Sequence, residues 1–266
     1  MLQKRWHWSE AVGLGLTVVA LSIIAFMQQD ALRQLQAQTG EQFTDAEYER
    51  QNAQTITQMR LLANLPSFGF DNLVADWAFL QFLQFFGDSA ARQVTGYDDA
   101  PAFFAVIIAK DPRFAPTYPY LSTAITVYAG QPQTSVALMD RGLAAMDPAY
   151  QPTAYLAWVF RAMDELLFLG KGRAAAESYD RAAAWAEMNP DPQVRAAAEY
   201  YRSLAQTLRR DPDSRMAQIN AWIWALVNAV SDRSRQTAIE NIERLGGKVS
   251  RLPDGTWQIR HPEDLR

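Results

Sequence analysis

Three Asx-Pro pairs divide the chain: Asp111-Pro112, Asp147-Pro148 and Asn189-Pro190, separated by 36 and then 42 residues. A proline cannot donate to a helix ladder, yet its fixed φ suits the first turn of a new helix. Prolines recurring at this interval therefore mark the end of one helical hairpin and the opening of the next. With two helices per interval, a stacked all-α array is the expected architecture.

The residues between the prolines carry a second pattern. Gly96-Tyr-Asp-Asp-Ala100, then Phe104 and Pro112, sets a glycine, a small residue, an aromatic ring and a proline in order. Leu169-Gly170, Ala175, Tyr179, Ala182 and Pro190 repeat that order, and Gly130 to Pro148 follows it loosely, with Asp140 and Leu143 near the positions where an aromatic and an alanine would fall. Small residues let paired helices approach closely while the ring fills the neighbouring gap. On these motifs the chain resembles the tetratricopeptide-like superfamily over roughly residues 72–210, in about three degenerate repeats. The resemblance implies a helical-hairpin solenoid whose first helices line an inner groove that holds another protein.

Around this array the chain extends in both directions. Thr44-Asp-Ala-Glu47 reads as a capping box that starts a helix ended by Pro66, and residues 30–70 are expected to form a helical stalk. Leu73 to Phe86 contains only Asp76, Gln81 and Gln84 as polar residues. Too short to cross a bilayer, it is expected to be buried on most sides within the repeat domain, residues 71–245. Asp191-Pro192 and Asp211-Pro212 each start a further helix, and a last one from about Arg233 stops at Gly246-Gly247. Residues 246–266 are expected to form a C-terminal β-hairpin and tail. Lys248–Leu252 and Thr256–Arg260 read as strands around Pro253-Asp-Gly255, with Val249, Trp257 and Ile259 needing support from the last helix or a partner.

At the other end, Ala11 to Met27 is a run of seventeen uncharged residues, preceded by Trp6, Trp8, Lys4 and Arg5. A spanning helix needs roughly 17–25 apolar residues, and basic flanks stay on the cytoplasmic side. Residues 1–29 are therefore expected to be a cytoplasmic tip and a transmembrane signal anchor. That would make the protein single-pass, with its bulk extracytoplasmic, in a periplasm or lumen. The run ends in Ala-Phe-Met-Gln-Gln, a poor cleavage site for a signal peptide.

Composition excludes several chemistries. There is no cysteine, so disulfides and thiolate sites are absent, and His7 and His261 are the only histidines. A net charge of -4 offers no basic face for nucleic acid. Phosphate-binding glycine loops are missing, since Leu169-Gly-Lys-Gly-Arg173 lacks the spacing and the preceding strand. No cofactor, metal or small-molecule substrate is expected.

The candidate site is instead a partner-binding groove of Asp76, Trp77, Tyr118, Tyr120, Trp158 and Arg161. Asp76 in an apolar helix needs a partner, a cap or a groove, and Arg161 is a candidate counterion. The tyrosines and Trp158 stand in first helices, where exposed rings would anchor a bound peptide. Asp98-Asp99 reads as a helix start. Asp164-Glu165, adjacent on a helix and about 100° apart, reads as a solvated edge. The expected role is a non-enzymatic, membrane-tethered scaffold, as an assembly or maintenance factor for a membrane complex. A permanent structural subunit is the alternative, and an enzyme built on Asp76, Arg161 and tyrosines a third.

Overall fold

A computed structural model of the chain describes residues 43–252 and 256–262. The chain divides into two compact units, Met1–Thr44 and Asp45–Arg266, and the architecture below is that of the second. The expected anchor, residues 11–27, lies outside the described residues, as does the Pro253–Gly255 turn. No described helix is long and apolar enough to cross a membrane.

The unit is mostly helical and closes with one small antiparallel sheet. Helix α1 (Asp45–Asn64) packs on α3 (Ser89–Thr95) and α4 (Ala100–Lys110), and α2 (Asp71–Gly87) packs on α4. Ile56 and Met59 of α1 are buried in the main core, so this part of the expected stalk belongs to the packed unit. A 3₁₀ turn, Ala115–Thr117, leads into α5 (Tyr118–Leu121), which continues as a π-helical segment, Ser122–Tyr128. Next come α6 (Pro132–Leu143) and α7 (Tyr155–Met163), the latter also continuing as a π-helical segment, Asp164–Phe168. Helices α8 (Gly172–Glu187) and α9 (Pro192–Arg210) stack on in order.

Asp111-Pro112, Asp147-Pro148 and Asn189-Pro190 fall just after α4, α6 and α8, as the intervals predict. Within each hairpin a left-handed glycine makes the turn: Gly96 (φ 66°), Gly130 (φ 66°) and Gly170 (φ 65°). Side chains rarely tolerate this conformation. The glycine turns thus align the weak middle unit with its neighbours more clearly than its side chains do.

Those three turns share a second constraint. Helices α10 (Arg215–Asn228) and α11 (Asp232–Arg244) lie against them. A β-carbon at Gly96 would sit 2.7 Å from Ser231 Cβ, one at Gly130 3.4 Å from Thr237, and one at Gly170 2.8 Å from the Gln218 amide oxygen. Val127 and Phe168, from the two π segments, join Ile219, Trp222, Leu226, Ala238 and Ile242 in one core cluster. Helix α10 starts at Arg215, three residues beyond the expected Asp211-Pro212 opening, and Ser231 caps α11 by accepting from the Ser234 amide.

The terminal strands are β1 (Lys248–Arg251) and β2 (Trp257–Arg260), with Val249 opposite Ile259. Val249, Trp257 and Ile259 pack on the α10–α11 cluster, and β1 lies on α11, which supplies the support such a hairpin needs.

The main core runs through α1, α2, α4, α5 and α6 and is unusually aromatic. Phe82 meets Phe104 at 4.6 Å and Phe85 meets Phe103 at 4.8 Å between centroids. Gly142 on α6 lets Tyr118 in, since a β-carbon there would overlap the tyrosine hydroxyl.

One expectation about α2 is corrected. Ala75, Ala78, Phe82 and Phe85 are buried, but Leu73, Trp77, Leu80 and Leu83 are exposed. The helix is apolar nearly all round, yet its packing on α4 and α3 leaves these four side chains uncovered. Apolar composition on every face does not require burial on every face.

Candidate functional site

The polar chemistry of the unit gathers where α7 passes into its π segment. Asp164 is 1% exposed, and its carboxylate accepts three hydroxyls: Ser122 Oγ at 2.7 Å, Thr126 Oγ1 at 2.7 Å and Ser135 Oγ at 2.6 Å. Two donors come from the preceding π segment and one from α6, so the acid ties consecutive hairpins together. Burial raises its pKa to about 6, against the opposing pull of the three hydroxyls, with Glu165 adding to the rise.

Glu165, also buried, faces another way. It accepts the Ser178 hydroxyl of α8 at 2.7 Å and pairs with Arg161 at 3.0 Å. Burial raises its pKa too, opposed by Ser178 and Arg161. The two acids do diverge, as adjacent helical residues must, but toward two neighbouring helices rather than toward water. The reading of Asp164-Glu165 as a solvated edge is thereby corrected. Both acids open a π turn: the amides of Ala129 and Leu169 reach back five residues to the carbonyls of Ala124 and Asp164. Such a turn inserts an extra residue and resets the phase of the face.

Arg161 ties the network to the surface. Its Nε donates to Asp140 at 2.7 Å, another donor meets the Ser178 hydroxyl, and its guanidinium stands 5.5 Å from the Trp158 ring. Arg181 approaches the same ring at 5.8 Å, and Trp185 meets it edge-on at 5.8 Å. Trp158 is half-buried, and its indole N–H is buried with no acceptor among the described residues. Two tryptophans flanked by two arginines have the composition of an interface anchor.

The candidate groove residues do not form one groove. Arg161 is held by Asp140, Glu165 and Ser178, and Asp76 is exposed on the outer face of α2. Tyr118 is in the core, its hydroxyl donating to the Pro112 carbonyl at 2.7 Å and its pKa raised by burial. Tyr120 is exposed and packs edge-on against Phe79 of α2 at 5.4 Å. Two groups result: Asp76, Trp77 and Tyr120 lie about α2, and Trp158 and Arg161 about α7.

A third polar cluster lies near α3. Arg92 is buried, with its guanidinium 3.7 Å above the Phe85 ring; it donates to the Gly96 carbonyl at 2.8 Å and to Asn52 at 3.3 Å. Burial lowers its pKa to about 10 despite Asp88 and Asp99 nearby. Asn52 in turn donates to Asp99 at 2.8 Å. Asp99 occupies the N-cap position of α4 without a side-chain cap bond, and Asp98, its pKa raised by burial, takes the Ser231 hydroxyl at 3.4 Å. These acids join α1, α4 and α11, which fits the helix-start reading in place and enlarges it in role.

The sequence reading puts Asp164 on a solvated edge and gives no role to its three hydroxyl donors or to Arg92. One signal was available: Ser122 and Thr126 stand four apart in a largely apolar segment, so both hydroxyls face one way and require an acceptor. Among the described residues, no cluster of acids and histidines could hold a metal ion. Compared with protein-family models, curated proteins and solved structures, the chain gives no match.

Proposed function

We propose that this chain is a membrane-tethered scaffold that holds another protein on a tetratricopeptide-like array, as an assembly or maintenance factor for a membrane complex. The observation that carries the reading is the half-buried Trp158 with Arg161, Arg181 and Trp185 gathered about it. Aromatic and arginine side chains on a rigid helical surface make strong anchors, because little ordering entropy remains to be lost on binding. Asp164 and Glu165 are engaged by internal hydroxyls and Arg161, which accounts for them as links between hairpins rather than as reagents. The uncharged run from Ala11 to Met27, with Lys4 and Arg5 before it, supports a tether whose basic end is cytoplasmic. A tether raises the effective concentration of the binding surface near membrane complexes.

A photo-crosslinking residue at position 181, used in native membranes, tests the reading. Capture of a defined protein, absent with the crosslinker at exposed Gln206 on α9, is the expected result. Substoichiometric recovery of that protein's complex after gentle detergent extraction supports an assembly factor, and stoichiometric recovery a permanent subunit. Equal labelling from both positions would overturn the scaffold reading. Topology has its own check: protease outside an intact cell or oriented vesicle should digest the array, and protection there would reverse the orientation.

A further inference from the structure

Large apolar side chains are concentrated at the turn between α1 and α2 and on the outside of these two helices. At the tip of this turn, Phe68 is 86% exposed and Phe70 65% exposed. Leu61 and Leu65 stand exposed on the α1 side, and Leu73, Trp77 and Leu80 continue down the outer face of α2. Residues 73, 77 and 80 recur at helical spacing, so they form one row. Tyr120, packed against Phe79, extends the row sideways.

The tip is also strained. Phe68 has φ 49°, in the left-handed region, and is the only non-glycine residue with positive φ among the described residues. A bulky residue there is unfavourable, and it is retained where the surroundings or a function require it. Gly69 follows with φ 91° and has open space where a side chain would stand, so crowding does not account for the turn. Its effect is to hold two phenyl rings outward between the end of α1 and the start of α2.

We infer that this tip and the outer row of α2 rest in the interfacial layer of the lipid bilayer that holds the N-terminal segment. The occupant is lipid. Exposed Phe, Trp and Leu on a loop tip and one helix face match the interfacial layer, where aromatic rings meet headgroups. The covalent geometry allows it. Gln28 to Thr44 is seventeen residues, which reach at most about 60 Å. Helix α1, twenty residues and about 30 Å long, separates Asp45 from the tip, so the tip can return to the same membrane. Asp76 sits within the row, exposed, where its carboxylate can remain among headgroups. The inference rests on the tether reading, and it gives the two groups of aromatic residues separate roles: the α2 row for lipid and the Trp158 surface for protein.

Because the chain has no cysteine, a single one can be placed and labelled. The full-length protein carrying Phe68→Cys or Leu80→Cys, each with a polarity-sensitive fluorophore, is reconstituted into vesicles of 3:1 phosphatidylcholine and phosphatidylglycerol, with Gln206→Cys as control. Expected is blue-shifted emission at 68 and 80, quenched at least twofold by shallow spin-labelled lipids and unaffected at 206. Water-like emission at both positions, in protein that floats with the vesicles, overturns the inference and leaves the tether intact. Failure to float removes the tether and this inference together. Self-quenching that grows with protein density, without lipid quenching, would assign the row to a second copy and overturn it equally.

Discussion

The outer face of α2 and the junction of α7 with its π segment invert the usual partition of side chains. One sets leucine and tryptophan in solvent; the other sets two carboxylates in the interior. The difference lies in what each asks of its neighbours. Hydroxyl donors on three helical segments offset part of the desolvation of Asp164 and Glu165 and tie the hairpins together. Leu73, Trp77 and Leu80 are exposed on one row, and a contiguous apolar surface of this kind is what a contact site presents. An interior polar network specifies a fold, and an exterior apolar row specifies a contact.

Breaking the interior half of this comparison should give the largest effect. Asp164→Ala leaves three buried hydroxyls without their acceptor and opens a small void, for an expected loss of about 3 kcal/mol in urea denaturation. An unchanged midpoint would mean that water or a rearranged side chain replaces the carboxylate.

Asp164→Asn should then show in the pH dependence. In the native protein the folded-state pKa of about 6 lies above the ordinary 3.8, so the folded state holds the proton more tightly. Its stabilising contribution is fully present below 3.8 and is lost as pH rises through about 6. The parent should therefore lose stability relative to Asp164→Asn across that window, and parallel pH profiles would contradict the assignment.

Arg161→Ala should cost less, about 1–2 kcal/mol, by leaving Glu165 without its cation while keeping the Ser178 hydroxyl. Arg161→Lys should recover part of that loss, read from the same denaturation curves.

At the exterior tip the sign should reverse. Phe68→Gly relieves a left-handed phenylalanine and should gain about 0.5–1 kcal/mol in detergent solution while weakening lipid quenching at Leu80. A loss of stability would show that Phe68 is held by packing and not exposed for contact.

The sequence made the period legible because prolines and left-handed glycines act through the backbone, where one residue determines a turn. Asp111-Pro112, Asp147-Pro148 and Asn189-Pro190 separate hairpins regardless of what packs around them. The C-terminal strands were legible for the same reason, β1 set off by Gly246-Gly247 and the two strands separated by Pro253-Asp-Gly255 in the sequence. Burial was less legible, because it depends on partners. Leu73 to Phe86 reads as an interior helix until its packing on α4 is seen to bury Ala75, Ala78, Phe82 and Phe85 and to leave Leu73, Trp77, Leu80 and Leu83 exposed. Asp164 reads as exposed because its hydroxyl donors stand on other elements, which its own helix does not reveal. Asp76 and Arg161 were linked by need alone, and Arg161 found nearer acids at Asp140 and Glu165.

The central claim is that the outer row of α2 serves a contact and contributes little to the fold. The denaturation midpoint of the full chain carrying Leu73→Gln and Leu80→Gln together, compared with the parent in detergent, tests it most directly. Both leucines are more than half exposed, and glutamine keeps helix propensity, so the expected change is within about 0.5 kcal/mol. A loss of about 2 kcal/mol or more would place the row in the folded core and contradict the claim.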